Sequence, residues 1–139
     1  MRTEGSTLAA EGGTSPRELT VLLVEDEVLT RLMLADELRN QGLQVLEASN
    51  ADEALTVLQS PLRVHLLFTD IRMPGEMDGV ALAKFAHARF PRIKSIIGSS
   101  GRPEQSIGEF ADAFLAKPYD LRELIEQVRR LLSDLGYEQ

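Results

Sequence analysis

Short apolar runs, each bounded by polar residues or glycine, recur along the chain from Leu19 onward, with helically spaced segments between them. Residues 20–24, 44–48, 64–69, 95–99 and 113–116 read as strands. Most of these runs are continuous rather than alternating, the pattern of strands covered on both faces of a parallel sheet. After the first strand, Leu29, Leu32, Met33, Asp36, Glu37 and Leu38 predict a helix with an apolar stripe and a wet face, stopped at Gly42. Asn50, with Glu53 three residues on, reads as the cap of a helix running to about Leu58. Val80, Ala81, Leu82, Phe85 and Ala86 mark a third helix, ended before Pro91. A shorter one is expected over residues 103–110. In the last helix Asp120 is the cap, and Leu121, Leu124, Ile125, Val128, Leu131, Leu132 and Leu135 repeat at helical spacing to Gly136.

Strand and helix thus alternate five times. Alternating units of this kind imply an α/β fold, with a parallel sheet, right-handed crossovers and helices on both faces. In such folds the working site lies beyond the carboxyl ends of the strands. Residues 1–18 carry Gly5, Gly12, Gly13 and Pro16 and no apolar periodicity, so a flexible tail is expected there. That leaves residues 19–139 as one domain.

Composition narrows the function. The chain has 139 residues, 43% of them hydrophobic, and 22 Asp+Glu against 15 Lys+Arg give a net charge of −7. The acidic balance argues against a broad grip on nucleic acid or anionic lipid, so neither direct nucleic-acid binding nor a membrane role is expected. No apolar run approaches the ~20 residues that span a bilayer, and the first residues lack the pattern of a signal peptide. A cytoplasmic protein is the expectation. With no cysteine there is no disulfide, thiol nucleophile or thiolate metal site, and His65 and His87 read as structural or exposed.

Chemistry gathers after the strands. Glu25, Asp26 and Glu27 follow the first, Asp70 the third, Ser99, Ser100 and Gly101 the fourth, and Lys117 and Pro118 the fifth. On a parallel sheet these meet at one end. Oxygen ligands without His or Cys suit a hard cation such as Mg²⁺, which takes one or two carboxylates plus phosphate oxygens. A carboxylate beside such an ion can attack phosphorus and form an acyl phosphate, with a hydroxyl and an ammonium holding the phosphoryl oxygens. The bland alternatives are a turn aspartate at 70, helix-start acids at 25 and 26, and a surface lysine at 117. The four residues in register speak against them.

The run Val21-Leu22-Leu23-Val24-Glu25-Asp26-Glu27, the run Thr69-Asp70-Ile71-Arg72-Met73-Pro74, then Asp78-Gly79, Ser99-Ser100-Gly101 and Lys117-Pro118-Tyr119, resemble the receiver domain of bacterial two-component response regulators. The resemblance covers residues 19–135. It implies a flavodoxin-like doubly wound sheet of five parallel strands in the order 2-1-3-4-5. It further implies that Asp70 is the phosphoacceptor and that Glu25 and Asp26 hold Mg²⁺ (Mn²⁺ substituting) together with Asp70 and the Arg72 backbone carbonyl. By the same resemblance Lys117 contacts the phosphoryl group before a cis-prone bond to Pro118. Ser99 and Phe114 would be the switch pair. The implied partner is a histidine kinase or histidine phosphotransferase, and the implied state a monomer or a phosphorylation-dependent dimer. Such a chain is a signalling switch that catalyses its own phosphoryl transfer and dephosphorylation, not an enzyme in the usual sense.

Three departures stand out. The 74–79 loop is one residue longer than the commonest form. Only 17 residues separate Ser99 from Lys117, so the fourth helix is expected to be short, displaced or irregular. Phe114 lacks the hydroxyl of the frequent tyrosine. Tyr119 is expected on the signalling face. The competing readings are a phosphorylation-independent adaptor on the same fold, or a receiver cut from a larger regulator or hybrid kinase. A phosphatase or flavin carrier is disfavoured, by Arg72 in place of a second aspartate and by the acids after the first strand.

Overall fold

Runs of Val, Leu, Ile and Phe line up as one five-stranded parallel sheet at the centre of the chain. The computed structural model describes residues 19–73, 75–101, 105–134 and 136. The predicted tail, residues 1–18, lies outside the described residues, as do Pro74 of the lengthened loop and Leu135 at the end of the last helical repeat. The strands are β1 (Thr20–Val24), β2 (Gln44–Ala48), β3 (Leu66–Asp70), β4 (Lys94–Ser99) and β5 (Ala113–Ala116). Their order is β2-β1-β3-β4-β5, as the resemblance implies. The helices are α1 (Val28–Asn40), α2 (Ala51–Leu58), α3 (Gly79–Arg89) and α4 (Leu121–Asp134).

Side chains alternate across the sheet, which divides the core in two. Leu19, Val21, Leu23, Phe68, Ile96 and Leu115 pack with α1 and α4 through Leu34, Leu38, Leu124, Val128 and Leu132. Leu22, Val24 and Leu67 pack on the other face with Ala54 and Leu58 of α2 and Leu82 and Ala86 of α3. Burial of each such Leu or Phe contributes about 1.5–3 kcal/mol.

Where the expected fourth helix would run, residues 105–109 form a single 3₁₀ segment. Ile107 and Phe110 seat it against Ala83 and Ile97, and Phe114 packs beside them. The short, irregular helix foreseen from the 17-residue spacing is this single 3₁₀ segment.

The helix starts follow local chemistry. Asn50 Oδ1 accepts the Glu53 amide at 2.8 Å, and Glu53 reaches back to the Ser49 amide at 2.7 Å. Asp78 caps α3 through the Ala81 amide at 2.9 Å. Asp120 Oδ1 accepts the Arg122 and Glu123 amides at 2.9 and 3.3 Å at the start of α4.

One helix face departs from the expectation. Of the predicted apolar positions, Leu29, Leu32 and Met33 are exposed, Leu29 to 79%, whereas Leu38 is buried and packs inward with Leu34 and Ala35. Both sets recur at helical spacing, on opposite sides of one helix. The sheet is covered by the side on which Ala35 permits close approach. The third strand also starts two residues later than expected, at Leu66, and ends on Asp70 itself.

Candidate functional site

The carboxyl edge of the sheet assembles the expected residues in three dimensions. Glu25 follows β1, Asp70 closes β3, Ser99 closes β4, and Lys117 follows β5. Asp70 and Gly98 are register partners, as are Ser99 and Ala116, so the strand ends are level. The start of α3 closes tightly on this edge. A Cβ on Gly79 would stand 1.8 Å from the Asp70 carbonyl oxygen, so only glycine lets the helix approach. The Gly79 amide donates to the Ile71 carbonyl at 2.9 Å, fixing the loop that carries Arg72.

One carboxylate oxygen from each of Glu25, Asp26 and Asp70 lies within 4.8 Å of the others. Glu25 is fully buried, Asp70 is 4% exposed, and Asp26 faces solvent. Lys117 Nζ donates to Asp70 Oδ2 at 2.6 Å and stands 3.7 Å from Glu25 Oε1. The other Asp70 oxygen, Oδ1, accepts the Arg72 backbone amide at 3.3 Å. Glu25 Oε2 accepts the Glu27 amide at 3.1 Å, whereas Oε1 is buried without a hydrogen-bond partner among the described residues.

The electrostatics are those of acids held close together. Burial pushes the Glu25 carboxyl above its ordinary range, against the pull of the Glu27 amide, and the Asp70 charge adds to the push. For Lys117, burial alone pulls downward. The hydrogen bond and charge of Asp70, with the charges of Glu25 and Asp26, outweigh it and hold the ammonium protonated. A buried Glu25 carboxylate with one oxygen free of hydrogen bonds among the described residues, grouped with two further carboxylates, has the donor chemistry of a hard divalent cation, so these residues fit Mg²⁺ or Mn²⁺.

The remaining expected residues are placed as follows. The Ser99 hydroxyl accepts the Gly101 amide and donates to the Gly101 carbonyl, both at 3.1 Å, and no hydrogen bond joins it to Asp70 among the described residues. It borders a cavity of about 450 Å³ that Arg72, Asp78, Lys84, Ser100 and Phe110 also line. Phe114, the register partner of Ile97, is half-buried. Lys117-Pro118 is a cis peptide bond.

Arg31, which no sequence signal singles out, and Tyr119, expected on the signalling face, both border the site. Arg31 donates to the Glu25 carbonyl at 2.9 Å and pairs with Glu47 at 3.1 Å, bracing the turn after β1 from α1. Tyr119 folds inward over Gly98 rather than lying on an outer face. The glycine inside an apolar strand was the available signal, since such a glycine marks a close approach.

Comparison with known proteins accords with this geometry. The profile of the response regulator receiver domain matches residues 21–129. A probable transcriptional regulatory protein of Picosynechococcus sp. is 33% identical over 136 residues, 91% of this chain and 53% of that protein. Among solved structures, a CheY-like response regulator receiver domain protein from Methanospirillum hungatei superposes with a TM-score of 0.78 at 26% identity, over 85% of this chain and 96% of that one. The response regulator protein TrrA from Thermotoga maritima, in complex with Mg²⁺-BeF, superposes with a TM-score of 0.74 at 30% identity, over 81% and 98%. The chain spans about half the length, or less, of the curated relatives it matches.

Proposed function

The chain belongs to the family of response regulator receiver domains, and on that footing we propose that Asp70 accepts a phosphoryl group from a phosphohistidine on a histidine kinase or histidine phosphotransferase. The observation that carries this reading is the buried Asp70 carboxylate, held by Lys117 at 2.6 Å and grouped with Glu25 and Asp26. A Mg²⁺ ion on Glu25, Asp26, Asp70 and the Arg72 carbonyl would supply charge neutralisation for the incoming phosphoryl oxygens.

An Asp70 carboxylate oxygen attacks phosphorus. The new O–P bond forms as the N–P bond to the donor imidazole breaks, and that bond's electron pair stays on the imidazole nitrogen. The transition state is loose, so catalysis consists of positioning and charge. Lys117 fixes one Asp70 oxygen and the Arg72 amide the other, and the Lys117 ammonium then offsets charge on the phosphoryl group. Ser99 leaves its Gly101 contacts to bond a phosphoryl oxygen, and Phe114 fills the space that the loop after β4 vacates. The acyl phosphate adds about two negative charges and three acceptor oxygens, enough to bias a two-state surface. The whole of residues 19–139 serves as this one switch, which turns over its own covalent state rather than a free substrate.

The test is labelling by a small phosphodonor such as radiolabelled acetyl phosphate in Mg²⁺. Wild type labels, and Asp70→Asn or chelation with EDTA abolishes it. Full labelling of Asp70→Asn would remove the assignment.

A further inference from the structure

Behind the carboxylates, Tyr119 does something that packing alone does not require. Its ring fills the space over Gly98: a Cβ at position 98 would stand 2.1 Å from the phenol oxygen and 2.8 Å from two ring carbons. The ring is edge-on to Phe68, with centroids 5.4 Å apart and planes at 80°, and Lys117 Nζ lies 5.6 Å from its centroid. A phenylalanine would keep the ring contacts with Phe68, Lys117 and the space over Gly98, and would lose only the oxygen. The hydroxyl adds a buried donor with no hydrogen-bond partner among the described residues, which is unfavourable unless another state of the site supplies one.

The location says which state. Gly98 is the cross-strand register partner of Asp70. Register partners in a parallel sheet project to the same face, about 5 Å apart. A phenol oxygen held where the Gly98 side chain would begin is therefore the near neighbour of the Asp70 side chain. Burial first, and then the charges of Asp70 and Glu25, push the phenol's ionisation upward, so at neutral pH it keeps its proton and can donate it.

We propose that Tyr119 is a positioning residue for the phosphoacceptor: the notch at Gly98 aims its hydroxyl at Asp70, and the hydroxyl gains its hydrogen-bond acceptor when Asp70 carries a phosphoryl group. The inference rests on Asp70 being the phosphoacceptor and adds a donor from the floor of the site. It also gives Gly98 a reason, since any side chain there would evict the phenol.

The test uses the full chain with Mg²⁺ and beryllofluoride, a stand-in for the phosphoryl group. Calorimetric titration of Tyr119→Phe should show beryllofluoride bound about 3- to 10-fold more weakly, the worth of one hydrogen bond. Labelling by acetyl phosphate should slow to a similar degree. The midpoint of thermal unfolding without ligand should stay the same or rise, because an orphaned donor has been removed; a structural tyrosine would instead lower it. Gly98→Ala should weaken beryllofluoride binding as well, and adding Tyr119→Phe to it should cause no further loss. Wild-type binding and labelling by Tyr119→Phe, beside a wild-type chain that labels at Asp70, would overturn the role of Tyr119 and leave the phosphoacceptor standing. So would a weakening matched by a lowered midpoint. A wild-type chain that neither labels nor binds beryllofluoride would overturn both.

Discussion

Lys117→Met removes the ammonium while keeping most of the aliphatic stem, and it tests whether the acid cluster is held together by that one cation. Without Lys117, the carboxylates of Glu25 and Asp70 would face each other with oxygens within 4.8 Å. Two unit charges at that separation repel by about 3.5 kcal/mol at an effective dielectric constant of ~20. Both carboxylates are almost fully buried, whereas the Lys117 side chain is 28% exposed, so part of the loss is screened. The expected cost in EDTA is about 2–4 kcal/mol, in keeping with breaking one member of a buried ion pair. The chain has no tryptophan, so urea unfolding is followed by far-UV circular dichroism. At a typical slope of about 2 kcal/mol per molar urea, the midpoint falls by about 1–2 M. Adding Asp70→Asn to Lys117→Met removes one of the two opposed charges and should recover at least half of the loss, a coupling that independent sites would not show. Millimolar Mg²⁺ should stabilise Lys117→Met more than wild type. A cost below about 1 kcal/mol, or a double variant less stable than Lys117→Met, would refute the electrostatic account.

Two further expectations concern stability away from the site. His65 is buried, its Nδ1 accepts the Thr20 amide at 3.0 Å, and burial together with the Arg63 charge holds its pKa below the ordinary 6.5. As pH falls below about 6.5 the unfolded chain therefore takes up the proton first, and stability is lost from there down to the folded-state pKa. His65→Asn, which keeps an acceptor, should flatten that slope, and identical pH profiles for variant and wild type would count against it. Asn50→Ala removes the cap of α2 and should cost about 1 kcal/mol by urea unfolding, with Asn50→Asp near wild type. An unchanged midpoint for the alanine variant would show the cap to be idle.

Much of this arrangement was legible in the sequence because it rests on local signals. Continuous apolar runs marked the strands, Asn50 and Asp120 marked helix starts, and the polar residues just after the strands were the ones the sheet brings together. What was not legible depends on the choice between equivalent faces. Leu29, Leu32 and Met33 have the same periodicity as a core stripe, yet the helix turns Leu34, Ala35 and Leu38 inward. Periodicity shows that a face exists, and only packing selects it. Tyr119 was misplaced for a related reason. Its inward position depends on an empty volume at Gly98, on a strand 21 residues earlier; a glycine in a strand signals a close approach but not which residue makes it.

The charge of the cluster bears on how a signal leaves it. Three carboxylates against one ammonium leave two net negative charges, which one bound divalent cation would balance. Phosphorylation converts one carboxylate into an acyl phosphate carrying about two charges, so the pocket changes by only about one unit. At physiological ionic strength an exposed unit charge is screened beyond about 8 Å. A long-range field is therefore a weak messenger across this sheet. What changes strongly on phosphorylation is the number and position of hydrogen-bond acceptors, and those are felt only by donors already beside Asp70. Lys117 is engaged with Asp70 beforehand, and Ser99 is engaged with Gly101. The phenol of Tyr119 alone among these three enters the reaction with nothing to give up. Its response should therefore need the least reorganisation, and it ties β4 to the loop that leads into α4.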